Sequence, residues 1–106
     1  MVAPGTCERH YSPQTPIAPY ENLPETDRVR AGLIAFGPEK QPRHGFKEVV
    51  NLSVIGDLRE AASHLYAALH RMDHAAVEFV VVEPVPMSGL GLAINDRLRR
   101  AASRAD

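Results

Sequence analysis

Cysteine occurs once in the 106 residues, at Cys7, and that scarcity excludes an internal disulfide and a multi-cysteine zinc site. An excess of either charge is lacking as well. Twelve Lys plus Arg stand against thirteen Asp plus Glu, so a net charge of −1 leaves no global field to draw the chain onto nucleic acid or an anionic membrane. No apolar run approaches the roughly 20 residues that span a bilayer, and MVAPGTCERH lacks the apolar centre of a secretory signal. The expectation is a soluble, unexported, cytoplasmic protein with no membrane partner and no direct nucleic-acid binding. Internal repeats and low-complexity tracts are missing too.

What remains is globular in character. Hydrophobic residues at 44% and charged residues at 24% argue against disorder over most of the chain. A chain of this length supports one domain, with roughly two thirds of the unfolded surface buried on folding. The prolines crowd toward the front, at Pro4, Pro13, Pro16, Pro19 and Pro24. Each removes a backbone donor and pushes the residue before it out of the helical region. Residues 1–16 therefore read as an extended arm, and 17–106 as a single α/β domain.

Within that domain TPIAPY fits a short edge strand, where proline is tolerated, and ENLPETDRV a turn or single helical turn. AGLIAFG (31–37) and KEVVNLS (47–53) are short apolar runs bounded by Gly, Pro and polar residues, as buried strands are. In DLREAASHLYAALHRMD (57–73), Leu58, Ala61, Ala62, Leu65, Leu69 and Met72 form one helical stripe, with Asp57 as N-cap and Glu60 completing a capping box. AVEFVVVEPVP (76–86) carries a continuous β-branched run, which predicts a strand covered on both faces and parallel to its neighbours. A last helix follows over 88–105, its stripe set by Leu90, Ile94, Leu98 and Ala101, with Gly91 allowing close approach. The order strand, strand, helix, strand, helix predicts a small α/β layered domain with a mostly parallel sheet and a right-handed crossover from Val49 to Val82.

Chemistry is sparser. His70 and His74 stand i, i+4 beside Asp73, a spacing able to chelate a metal, but they lie opposite the Leu65 stripe with no third ligand near in sequence. A solvated helix end is the favoured reading, and no metal or cofactor is expected. Cys7 and His10 have nucleophile and base identities without anything to lower the thiol pKa. NLSVIGD resembles a phosphate-cradling turn, yet Asp57 and Glu60 already occupy the positive end of its helix. The Ser88–Gly89 turn lies beyond the carboxyl end of a buried strand, where open α/β sheets bind ligands. Arg99, Arg100 and Arg104 suit the negative end of the last helix, whereas Arg97 lies nearer its buried flank and can pair with a carboxylate or a ligand.

Three segments carry a family resemblance over nearly the whole chain. APGTCERHYSPQTP resembles the linker that joins the two domains of the longer threonylcarbamoyl-AMP synthases. NLSVIGDLREAASHLYAALHRMD and PMSGLGLAINDRLRRAA are similar to the helix and closing motif of their C-terminal domain. The resemblance implies a Rossmann-like accessory domain in the pathway that makes threonylcarbamoyl-adenosine in tRNA. The family's N-terminal domain, which makes threonylcarbamoyl-AMP from threonine, bicarbonate and ATP, has no counterpart in these residues, so synthase activity is not expected from them alone. By the same match Pro4, Gly5, His10, Tyr11 and Pro13 are linker positions, and His10 with Tyr11 is the ligand-facing pair. Gly89, Gly91, Asn95, Asp96 and Arg97 fall in the closing motif. Thr6 and Cys7 replace a Met and a basic residue of the family pattern, which leaves Arg9 as the nearby positive charge. The family's helix between the first two strands is reduced here to the stretch from Tyr20 to Ala31.

Two functional classes follow. One is a binding module for a separate synthase-type catalytic domain or an adenylate-like small molecule, with Pro4, Gly5, Arg9, His10, Tyr11, Ser88, Gly89, Asn95 and Arg97 as ligand-binding candidates. The other is a small enzyme recruited from this scaffold for another, specialised-metabolism reaction, with His10 as general acid/base and Tyr11 as hydrogen-bond donor or stacking surface.

Overall fold

The computed structural model describes residues 16–21 and 23–104. Four short strands form one sheet: β1 (Ile17–Pro19), β2 (Ala31–Ala35), β3 (Glu48–Asn51) and β4 (Phe79–Val82). Two helices accompany them, α1 (Leu58–His74) and α2 (Leu90–Arg104), with a 3-10 helix over Glu25–Arg30. The strand order is β1-β4-β2-β3, and every neighbouring pair is parallel. The crossover from β3 through α1 to β4 therefore passes over β2 instead of joining adjacent strands. Parallel β2 and β3 are connected by the irregular segment 36–47, long enough to return the chain without a helix.

Central β2 explains the AGLIA run: both neighbours are parallel strands and all five residues are buried. Alternation divides the core. Ile34, Leu52 and Val80 pack with Leu65, Leu69, Met72, Ile94 and Leu98 of the two helices. Ala31, Leu33, Ala35 and Val81 face the other way, under Tyr20, Leu23, Phe46 and Phe79. Only one face of the sheet carries α-helices, and irregular chain with the 3-10 helix covers the other. That is the reduced side expected from Pro24, which stands as N-cap of the 3-10 helix.

Two helix ends differ from the simple reading. Asp57 caps α1, accepting from the Arg59 amide at 3.0 Å. Glu60 does not reach back to the Asp57 amide. It accepts from Ser53 Oγ at 2.6 Å, and that oxygen in turn accepts from Asp57 N at 2.9 Å, so a buried serine relays the capping box. In α2 the buried stripe runs through Gly91, Ile94, Leu98 and Ala101, while Leu90 is exposed. Gly91 sits against the 84–86 segment so closely that a Cβ there would lie 1.8 Å from the Pro86 carbonyl oxygen.

Candidate groove at the carboxyl edge of the sheet

All four strands point the same way, so the segments leaving β2 and β4 emerge together at the carboxyl edge, where open α/β sheets place ligands. Glu83 and Pro84, just past β4, form a wall between two cavities. The first, about 320 Å³, opens between β1, β4 and α2, with Tyr20, Glu21, Gln41, Asn95, Leu98 and Arg99 among its lining residues. The second, about 390 Å³, lies toward β2 between Phe36, Pro38, Lys40 and Gln41 on one side and Glu83, Pro84, Val85 and Pro86 on the other. Gln41, Glu83 and Pro84 line both, which makes them two lobes of one groove of small-ligand size.

A strap built from residues 36–47 forms the roof, and Arg43 holds it. Arg43 Nε donates to Glu83 Oε2 at 2.8 Å and Nη2 to Oε1 at 2.7 Å, a two-pronged ion pair. Nη2 also donates to the Gly37 carbonyl at 2.9 Å, and the Phe36 amide donates to Glu83 Oε1 at 3.0 Å. Both side chains are largely buried, at 15% exposure for Arg43 and 6% for Glu83. The hydrogen bonds to Glu83 hold the Arg43 guanidinium above its ordinary range, against the opposing effect of burial. At the other margin the Tyr20 hydroxyl donates to the Pro42 carbonyl. Buried Arg28 donates to the His44 carbonyl at 3.1 Å and to Tyr20 Oη at 3.2 Å.

Of the residues singled out from sequence, Asn95 lines the groove. Its Nδ2 donates to the carbonyls of Val85 at 3.0 Å and Gly91 at 2.8 Å, tying the groove wall to α2. Ser88 and Gly89 form the exposed turn that opens α2, their carbonyls accepting from Gly91 and Leu92 at 2.9 and 3.1 Å, and neither lines a cavity. Arg97 lies outside the groove, its guanidinium stacked over the Tyr66 ring 4.7 Å from the centroid. Asp96 pairs with Arg99 and Arg100 at 2.8 and 3.1 Å. Pro4, Gly5, Arg9, His10 and Tyr11, with Cys7 and Pro13, lie outside the described residues. His70 and His74 are exposed, and among the described residues no His, Cys, Asp and Glu group has metal-site geometry. No described helix is long and apolar enough to cross a membrane.

Sequence reasoning missed Glu83, Arg43 and Gln41. A glutamate ending a run of valines on a two-sided buried strand was the available signal, because a carboxylate there demands a partner. Its partner lies 40 positions away in an irregular loop, where no periodicity points.

Residues 1–103 match the family described as "Threonylcarbamoyl-AMP synthase, C-terminal domain". The chain is 32% identical over 111 residues to the threonylcarbamoyl-AMP synthase of Bacillus subtilis, covering 95% of this chain and 32% of that protein. It is 34% identical over 109 residues to the threonylcarbamoyl-AMP synthase of Pyrococcus abyssi, covering 94% and 32%. The crystal structure of P. abyssi Sua5 complexed with L-threonine superposes with a TM-score of 0.65 at 26% identity, over 91% of this chain and 30% of that one. The chain thus spans about a third of the length of these relatives, and full synthase activity is not expected from these residues alone. A mostly parallel Rossmann-like sheet with this coverage settles its kinship: the chain belongs to the threonylcarbamoyl-AMP synthase C-terminal domain family.

Proposed function

We propose that this domain is an accessory binding module that serves a synthase-type catalytic domain in threonylcarbamoyl-adenosine modification of tRNA, and that its carboxyl-edge groove accepts a nucleotide or acyl-adenylate-like ligand. The observation that supports binding over catalysis is the Arg43–Glu83 pair. Glu83, the buried carboxylate that lines both lobes, is spent on Arg43 and on the Phe36 amide, so it shapes the groove and does not present a free acid or base to a substrate. The groove's size and its mixture of apolar walls with Gln41 and Asn95 suit recognition. In this reading residues 1–16 remain the arm that engages the catalytic domain, with Pro4, Gly5, Arg9, His10 and Tyr11 facing the bound nucleotide.

The test has two arms. Thermal melting of the chain with ATP, L-threonine and a non-hydrolysable threonylcarbamoyl-AMP mimic is expected to shift with the adenylate mimic, and a pull-down is expected to capture a synthase-type catalytic domain. The absence of both a shift and a captured synthase would sink the reading. Tyr11→Ala and His10→Ala variants that fold normally are expected to weaken capture in the presence of nucleotide.

A further inference from the structure

The exposed apolar side chains gather at one end of the domain. Among the described residues, Val54 (68% exposed), Ile55 (76%), Met87 (63%) and Leu90 (44%) are four of the eight large hydrophobics left in solvent. Val54 and Ile55 occupy the turn between β3 and α1, and Met87 and Leu90 flank the Ser88–Gly89 turn between β4 and α2. Because the strands are parallel, both turns sit at the carboxyl edge. They are also close together. A Cβ on Gly91 would come 3.6 Å from Leu58 Cδ2, and one on Gly37 would come 3.7 Å from the Gly56 Cα. At the same edge opens the lobe walled by Phe36, Pro38, Pro84, Val85 and Pro86 together with Lys40, Gln41 and Glu83. Of the other four, Leu92 follows Leu90 in the first turn of α2, Val29 in the 3-10 helix and Val49 on β3 stand singly, and Tyr66 lies beneath Arg97. Exposed apolar side chains gathered at one edge in this way mark an interface.

We propose that this crown of Val54, Ile55, Met87 and Leu90 is the face on which the catalytic domain of a threonylcarbamoyl-AMP synthase docks. The proposal rests on the accessory-module reading above and assigns it a surface. The occupant is argued from the comparisons: in relatives of which this chain covers 32%, the remaining two thirds or so of the polypeptide is joined to the same domain and is the neighbour at hand to cover an exposed apolar face. Covalent attachment permits this face. Pro16, whose carbonyl accepts from Val80 N at 2.8 Å, lies at the start of β1 on the amino edge. The preceding residues 1–15 can span at most about 50 Å, more than the 41 Å longest dimension of the domain.

The experiment titrates the intact chain with the N-terminal two thirds of the Bacillus subtilis synthase by fluorescence anisotropy, with sedimentation velocity on the chain alone. An Ile55→Ser, Met87→Ser double variant is expected to keep the wild-type melting temperature and to bind at least tenfold more weakly. A Val54→Ser, Leu90→Ser pair is expected to do the same. The control pair Val29→Ser, Val49→Ser, exposed on other faces, is expected to bind as wild type. Equal binding by the crown and control pairs would overturn the surface while leaving the accessory reading in place. Failure of the wild type to bind at all would overturn both. A concentration-dependent dimer of the chain alone, abolished by Ile55→Ser with Met87→Ser, would assign the crown to a second copy and overturn the proposal.

Discussion

Removing the Glu83 side chain tests whether the strap and groove depend on one buried ion pair. Glu83→Ala deletes the acceptor of two Arg43 hydrogen bonds and of the Phe36 amide, leaving a guanidinium at 15% exposure with carbonyl acceptors but no counter-charge, and a backbone N–H without its partner. Breaking a buried pair by removing one member costs about 3–5 kcal/mol. In a domain of this size each kcal/mol lowers the melting temperature by roughly 4–8 °C, so the variant is expected to melt at least about 12 °C below wild type. Arg43→Ala should cost less, about 2–3 kcal/mol, because the carboxylate keeps the Phe36 amide and the more exposed arginine leaves space for water. Arg43→Met with Glu83→Leu removes both charges and should recover most of the loss. The assay is thermal and urea unfolding of the four proteins, read as a double-mutant cycle. A Glu83→Ala melting temperature within about 3 °C of wild type, or additive single losses, refutes the argument that this pair holds the strap. The pH dependence follows from the sign of the Arg43 shift. A raised folded pKa gives stability fully present below the unfolded pKa and lost only as pH rises through the folded one, so raising pH from 6 to about 10 should leave this pair intact.

Other substitutions separate packing from backbone geometry. Gly91→Ala, which meets the Pro86 carbonyl at 1.8 Å, should destabilise by about 3 kcal/mol in urea unfolding, because a backbone atom cannot rotate away. Gly89→Ala, at φ +56 with nothing within 4 Å, should cost only about 1 kcal/mol. Ala76 follows α1 at φ 58, so Ala76→Gly should raise stability by about 0.5 kcal/mol, detectable as a small upward shift in urea midpoint. Ser53→Ala breaks the relay from Glu60 to the Asp57 amide and should cost about 1–2 kcal/mol, with lost amide-exchange protection confined to the start of α1.

The fold was legible where a single element states its own environment. The stripe from Leu58 to Met72 and the valines of β4 declare their buried faces locally, and the prolines of TPIAPY restrict that strand to an edge, where β1 lies. Strand order was not legible, because nothing in β3 or β4 records that β2 comes between them. Leu90 looked like part of the α2 stripe on spacing alone. It faces solvent because Gly91, pressed against Pro86, fixes the rotation of the first turn. The groove was legible in part. Its place beyond the carboxyl end of β4 follows from topology, but its Arg43–Glu83 tie joins a loop to a strand end and leaves no pattern in sequence.

The accessory role is most directly tested by calorimetric titration of the intact chain into a threonylcarbamoyl-AMP synthase catalytic domain carrying a threonylcarbamoyl-AMP mimic. Saturable one-to-one binding with a Kd of about 1–100 µM, the range of transient domain contacts, is the result expected. No heat at two temperatures, together with no co-sedimentation, would contradict it.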